Sequence, residues 1–270
     1  MMNSWSAWCS ITGLLSLSLQ AAALDDSATD YWVRVMPEAW FPKLTGNVAY
    51  RGSSGSDPTV LGTNDLGLGS RKLSPTIEAG VRFPFLFSID AGYSSYSNSS
   101  DTTFSQSASF GDHTYAANTT VDTSMYLRDY WGEFGIRPLN LSTFGFGIGI
   151  AGHLVRGDLE LKDEQSGTDD ALAKTIIIPA LSLRAHVTPV SHLTIEARVH
   201  IFDAGIAGQH VDYTDAVLQV SYRPIAFIGI LGGYRYTRYD LHLHAHDQNN
   251  EEALFDLRLQ GPFAGLIAQF

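Results

Sequence analysis

The residues best suited to chemistry are the histidines of His242-Leu-His-Ala-His246-Asp247, three imidazoles at every second position. On an extended strand that spacing puts His242, His244 and His246 on one face, and imidazoles suit Zn, Ni or Cu, with Asp240 or Asp247 able to orient or complete a site. Side chains at i, i+2 and i+4 diverge along a strand and converge on a metal only with a partner strand's help. Solvated polar residues on a hairpin are therefore the simpler expectation. A second constellation pairs histidine with aspartate, in His210-Val-Asp212 and His246-Asp247. Such pairs serve hydrolases, but a working dyad needs an orienting geometry that spacing alone does not supply. No catalytic residue is assigned, no cofactor is expected, and an enzyme is the lesser alternative.

A third set of residues emerges only once their strands are recognised. Period-2 alternation recurs through the chain, the mark of strands with two unlike faces. In His192–Ile201, Leu193, Ile195, Ala197, Val199 and Ile201 oppose His192, Thr194, Glu196, Arg198 and His200. Thr76–Phe83 sets Ile77, Ala79, Val81 and Phe83 against Glu78, Gly80 and Arg82, and Ser142–Gly152 sets four large apolar residues against Gly145, Gly147 and Gly149. By the same parity Asp90, Arg184, His186 and Arg235 join Glu78, Arg82, Glu196, Arg198 and His200, as do Arg34, Glu38, Glu133 and Arg137. One face is apolar throughout and the other carries both signs of charge. If the sheet closes, the charged face lines a lumen that fills itself with ion pairs.

Several features favour closure in a membrane. Strand-like runs reach about 9–11 residues, enough to cross a bilayer when tilted. Aromatic residues gather near their ends, as in Tyr93/Tyr96, Tyr126/Tyr130/Trp131 and Tyr234/Tyr236/Tyr239. Proline punctuates four short connections, at Pro84, Pro138, Pro189 and Pro224, while long polar stretches lie between them, including 51–71, 98–118, 163–170, 203–210 and 244–250. Tight turns at one end and long loops at the other give ten antiparallel strands, with eight or twelve as alternatives because 98–118 has room for a hairpin. In the last strand Phe255, Leu257 and Leu259 have one parity and Leu266, Ala268 and Phe270 the other; a β-bulge at Gly261-Pro262 would return both to the lipid side. Pro179 raises the same question in its own strand. The alternative all-β fold is a soluble secreted sandwich.

The amino-terminal segment 1–23 has no charged side chain, contains the apolar run Ile11–Leu19 and ends in Ala21-Ala22-Ala23. It reads as a secretory signal cleaved after Ala23, leaving 24–270 as the barrel domain. Cleavage removes Cys9, the single cysteine, while all 17 basic and 28 acidic residues remain. With a formal charge of −11 and no basic cluster, the chain lacks the footprint of a nucleic-acid binder.

Four stretches carry a resemblance: Leu61-Gly-Thr-Asn-Asp-Leu-Gly-Leu68, Ile178-Pro-Ala180, Gly232-Gly-Tyr-Arg-Tyr236 and Gly261-Pro-Phe-Ala-Gly-Leu266. With them and the terminal Phe270, the sequence resembles an uncharacterised family of small Gram-negative outer-membrane β-barrels. The resemblance implies a barrel in the outer membrane, in contact with its lipids and lipopolysaccharide, and recognised through Phe270 by the barrel assembly machinery. It supplies no catalytic residues. The expected function is structural or passive, with a narrow channel or small-ligand site next and a rim hydrolase after that.

Overall fold

A computed structural model describes residues 31–53, 57–83, 86–163, 165–206, 209–244 and 251–270. The expected signal segment, Pro84, His246 and Asp247 lie outside the described residues. The strands are β1 (Val33–Trp40), β2 (Lys43–Arg51), β3 (Leu61–Gly62), β4 (Ser74–Arg82), β5 (Phe87–Thr103), β6 (Ala108–Phe110) and β7 (His113–Tyr115). They continue as β8 (Thr120–Asn140), β9 (Phe144–Asp163), β10 (Asp169–Val190), β11 (Leu193–Ile206), β12 (Gln209–Ile225), β13 (Ile228–His244) and β14 (Glu252–Gln269).

β1 and β2 are two halves of one stave, parted at Phe41-Pro42. Both pair with β14, from Arg34↔Gln269 to Trp40↔Phe263 and from Lys43↔Gln260 to Arg51↔Glu252. β1 also pairs with β4, and the order then runs through β5, β8, β9, β10, β11, β12 and β13 back to β14. Ten antiparallel staves thus close into one barrel through the β1–β14 and β1–β4 pairings, which give the staves of its lower half a partner on each side. The soluble sandwich is excluded by this closure. The 98–118 stretch does hold a hairpin, β6–β7, but it forms a separate two-stranded sheet and adds nothing to the ring.

The outer wall is apolar over a band that starts at the end carrying Phe270, here the lower end. On β9 it runs through Phe144, Phe146, Ile148, Ile150 and Leu154, and on β10 through Ile177, Leu181, Leu183 and Val187, all exposed. Ile150 is 65% and Ile177 69% accessible, a degree of apolar exposure that a barrel around its own closed interior sustains only against lipid. Above the band the outside becomes charged. Arg238 pairs with Asp212 at 3.1 Å and Asp240 at 2.8 Å, and Arg258 with Asp256 at 3.3 Å.

The interior reverses at the same level. Its lower half is polar, whereas its upper half is a dry core of Leu44, Val48, Val121, Met125, Leu127, Val155, Leu159, Leu241, Leu257 and Leu259. Residues of the two outer connections complete that core from above: Leu66 and Leu68, with the Asn98 side chain donating to the Leu68 carbonyl at 2.8 Å, and Phe110 and Tyr115 of the hairpin.

This reversal corrects the expectation of a bulge at Gly261-Pro262. The β13–β14 register runs unbroken from Ile228↔Ala268 to His244↔Glu252, with Tyr234 opposite Pro262 and Arg235 opposite Gly261. Leu257 and Leu259 keep their inward parity because the barrel has an apolar inside there, while Leu266 points out to lipid. Pro179 likewise sits opposite Gly152 in unbroken register. Irregularities fall instead beside the lower turns, between Ile136 and Leu139, Val187 and Val190, and Tyr222 and Ile225, each spanning a proline that cannot donate to the ladder. The 203–210 stretch, expected as a loop, is largely paired strand: Asp203↔Asp212 and Ile206↔Gln209 extend the β11–β12 hairpin.

Candidate functional site

The candidate site is the polar lower lumen. β4 contributes Glu78 and Arg82, β5 Asp90, β10 Arg184 and His186, β11 Glu196, Arg198 and His200, and β13 Arg235, all on inward positions of their strands. The glycine row of β9 makes room for them: a Cβ at Gly145 would stand 2.2 Å from the His186 ring.

Two interlocked groups of ion pairs fill the space. In the first, Arg184 lies 2.9 Å from Glu133, 3.3 Å from Asp90 and 3.5 Å from Glu196, and Arg34 reaches Glu196 at 2.8 Å and Asp90 at 3.6 Å. In the second, Arg198 grips Glu78 with two hydrogen bonds of 2.7 Å and approaches Asp215 at 3.9 Å, while Arg235 and Thr237 donate to Asp215 at 2.8 and 2.7 Å. Guanidinium planes also stack on rings: Arg198 over Trp131 at 4.3 Å, Arg235 over Trp40 at 5.0 Å and Arg82 over Tyr31 at 3.8 Å. Bidentate and stacked geometries of this kind use arginine where lysine would not serve.

A third group extends the first, from Glu133 upward, through imidazoles. His200 Nε2 is 3.0 Å from Glu133, its Nδ1 is 3.0 Å from His153 Nε2, and His153 Nδ1 is 3.1 Å from Asp129, with the Tyr213 hydroxyl 3.1 Å away. The sequence does not single out Asp129, His153, Asp215 or Tyr213, and Trp131, expected among the aromatics at the strand ends, is instead buried in the lumen beneath Arg198. The signal was present: Asp129 and Trp131 share the parity of Glu133, His153 continues the glycine row, and Asp215 shares the inward parity of Val217 and Gln219.

The other sequence candidates are placed elsewhere. His242 projects from the outside of β13 above the apolar band, 3.4 Å from Asp240 and with its ring 6.0 Å from that of His210. His244 ends the same strand, and its side chain is outside the described residues, as is His246. Among the described residues no group of three or more His, Cys, Asp or Glu is arranged to hold a metal ion. His210 and Asp212 share the outer face of β12 but serve other partners, Asp212 pairing with Arg238 at 3.1 Å and the His210 ring lying beside that of His242.

The rim holds a different histidine. His113 of the β6–β7 hairpin is half exposed and places Nδ1 3.1 Å from both oxygens of Asp170, while Tyr115 donates to the same carboxylate at 2.9 Å and the Asp112 amide at 3.2 Å. Burial and the Asp170 carboxylate push the Tyr115 phenol well above its usual value. Above the lumen the apolar core lines a cavity of about 40 Å³ between Leu127, Val155, Leu241 and Leu257, and a second of about 110 Å³ adjoins it beside Lys174, Ile176 and Leu243.

Closed ring, apolar outer band and charged lumen together define the outer-membrane type of β-barrel. No protein-family profile matches the chain, and no curated protein matches it in sequence. Among solved structures it is similar to the outer-membrane protease OmpT of Escherichia coli, at 9% identity over 91% of this chain and all of that one, with a TM-score of 0.57. The translocator domain of the autotransporter NalP from Neisseria meningitidis aligns with a TM-score of 0.46 at 11% identity, covering 99% and 97% of the two chains. At these identities the likeness is one of fold: this chain has the barrel fold of an outer-membrane protein.

Proposed function

We propose that the protein is an integral outer-membrane barrel that does not conduct, a structural element that anchors its upper core and outer loops above the bilayer. A signal at 1–23 carries it across the inner membrane, and Phe270 presents the last strand to the assembly machinery. The observation that carries this reading is the apolar core above the charged lumen, in which Leu44, Leu66, Leu68 and Leu161 have no accessible surface. An ion leaving the lumen upward would shed its water into that core, a cost of several kcal/mol or more. The test is planar-bilayer recording of the refolded protein, with a two-leucine variant, Leu257→Ser with Leu127→Ser, as the opened control. Silent wild type is expected; discrete wild-type channels of steady conductance would end this reading.

A rim hydrolase is a second reading, supported by Asp170 orienting His113 with its Nε2 free for a water. Peptide or ester cleavage by the refolded protein, lost in His113→Ala and in Asp170→Asn, would establish it. Cleavage that survives both variants would dismiss it.

A further inference from the structure

We propose that the lumen contains a proton-transfer chain, Asp129–His153–His200–Glu133, holding one proton more than its two imidazoles bring when neutral. The chain is continuous. His153 Nδ1 lies 3.1 and 3.2 Å from the Asp129 oxygens, His153 Nε2 lies 3.0 Å from His200 Nδ1, and His200 Nε2 lies 3.0 Å from Glu133 Oε2. Both rings have no accessible surface, and the contacts are direct.

Each of these contacts needs a hydrogen between its two heavy atoms, because a carboxylate oxygen and an unprotonated ring nitrogen are both acceptors. Three contacts need three hydrogens, and two neutral imidazoles supply two. When Asp129 accepts from His153 Nδ1 and His153 Nε2 accepts from His200 Nδ1, the lone pairs of His200 Nε2 and Glu133 face each other at 3.0 Å. The third proton lies between them, on the ring or on the carboxyl. Turning both tautomers over moves the deficit to the Asp129 end. Tyr213 cannot make it good there: its hydroxyl lies 3.1 Å from His153 Nδ1 and 3.5 Å from Asp129, and its one hydrogen cannot serve both.

These two arrangements are the end states of a transfer. A proton moving from Glu133 to His200 Nε2 lets His200 Nδ1 release its own to His153 Nε2, and His153 Nδ1 then releases its own to Asp129. Each imidazole gains one proton and loses one, and the net change is one proton carried from Glu133 to Asp129. Those residues are four apart on β8, or roughly 13 Å of strand.

The surrounding charges leave the chain intact. Arg184 donates to the same Glu133 oxygen, Oε2, that faces His200, which leaves that oxygen a second lone pair for the chain, and Arg198 lies behind Trp131, which meets His200 edge-on at 5.3 Å. Arg235 is engaged by Asp215. No guanidinium bonds either imidazole among the described contacts. At the upper end Tyr213 packs on Tyr239 at 5.3 Å, and above them the apolar core begins. Protons therefore enter and leave through the lower lumen, and the chain stores and relays a proton without leaking it across the membrane.

The test is protonation-state spectroscopy on the full barrel in bilayers at about pH 8, where solvated histidines are neutral. Nitrogen-15 NMR of labelled histidine reads a doubly protonated imidazole, and infrared spectroscopy reads a protonated carboxyl. One of the two signatures is expected in the wild type. Glu133→Gln offers an amide N–H to His200 Nε2, and Asp129→Asn offers one to His153 Nδ1, so either variant supplies the third hydrogen and the signature should vanish. Because Glu133 also binds Arg184, Asp129→Asn serves if the first variant fails to fold. Two neutral imidazoles with no protonated carboxyl in the wild type would overturn the proposal, as would a signature that persists in a folded variant.

Discussion

Removing Arg198 tests whether the lumen is a dry, self-satisfied network or a hydrated pore wall. The Arg198→Met substitution keeps most of the side chain's bulk and deletes its charge. It breaks two 2.7 Å hydrogen bonds to Glu78 and the stacking over Trp131 at 4.3 Å. Glu78 is 6% exposed, so its carboxylate would be left without its bidentate partner and largely without water. Breaking a buried pair from one side costs about 3–5 kcal/mol, and the lost cation–π contact adds about 0.5–2 kcal/mol. Loss of about 4 kcal/mol is a large part of the roughly 5–15 kcal/mol by which a protein is usually stable. Pairing the change with Glu78→Gln removes the stranded charge, so the double variant should be more stable than the sum of the singles predicts, by about 2 kcal/mol. Urea unfolding in lipid vesicles, followed by tryptophan fluorescence and by migration of unboiled protein on gels, gives all four free energies. A single variant within about 1 kcal/mol of wild type, or strict additivity in the cycle, would mean that water solvates Glu78 and that the packed-lumen account fails.

The reversed core predicts opposite tolerances at neighbouring positions of β14: Leu259→Ala should cost about 2–5 kcal/mol in the same unfolding assay, while Arg258→Gln, on the outside, should cost under about 1 kcal/mol; equal effects would argue against an apolar upper interior. Gly46 has φ +128°, and a Cβ there would lie 1.8 Å from the backbone oxygen of Asp256. Gly46→Ala should therefore destabilise the β2–β14 seam by about 1–3 kcal/mol or more, and a neutral result would place the strand elsewhere. Asp163 is held below the usual carboxylate range by the Ser166 hydroxyl, 2.6 Å away, and by the Gln165 amide. A depressed folded value means that this loop's contribution is present above the unfolded aspartate value and fades as pH falls through the folded one. Ser166→Ala should raise the Asp163 midpoint toward the ordinary range in a carbon-13 NMR titration, and an unmoved midpoint would remove the hydroxyl as cause.

Much of the barrel was readable in the sequence because a strand between lipid and lumen must alternate, and residues such as Leu193 to Ile201 against Thr194 to His200 leave one assignment of faces. The same parity put Glu78, Arg82, Arg184, Glu196, Arg198 and Arg235 on a common wall. It could not say which of them touch. Contacts such as Arg34 with Glu196 and Arg198 with Glu78, 162 and 120 positions apart, depend on the ring's closure and on the stagger between staves, which no single strand encodes. The imidazole relay was hidden for a related reason: His153 stands alone among glycines and leucines, and its partners come from other staves, Asp129 from adjacent β8 and His200 from β11 beyond β10.

The apparent defect at Gly261-Pro262 shows how a pattern can be right and its interpretation wrong. If apolar residues must always face lipid, a change of parity demands a bulge. The rule that holds is weaker: an apolar side chain needs a neighbour other than water, and a barrel taller than the bilayer has two such neighbours at different heights. Below, lipid lies outside and Leu266 faces it; above, water lies outside and Leu257 and Leu259 turn in. β9 repeats the change without a proline, passing from outward Ile148, Ile150 and Leu154 to inward Leu159 and Leu161. The switch of apolar parity along an unbroken strand therefore marks where the membrane ends, and it also marks where the lumen is sealed. Both boundaries arise from one cause, which is why the charges outside the wall begin where the charges inside it stop.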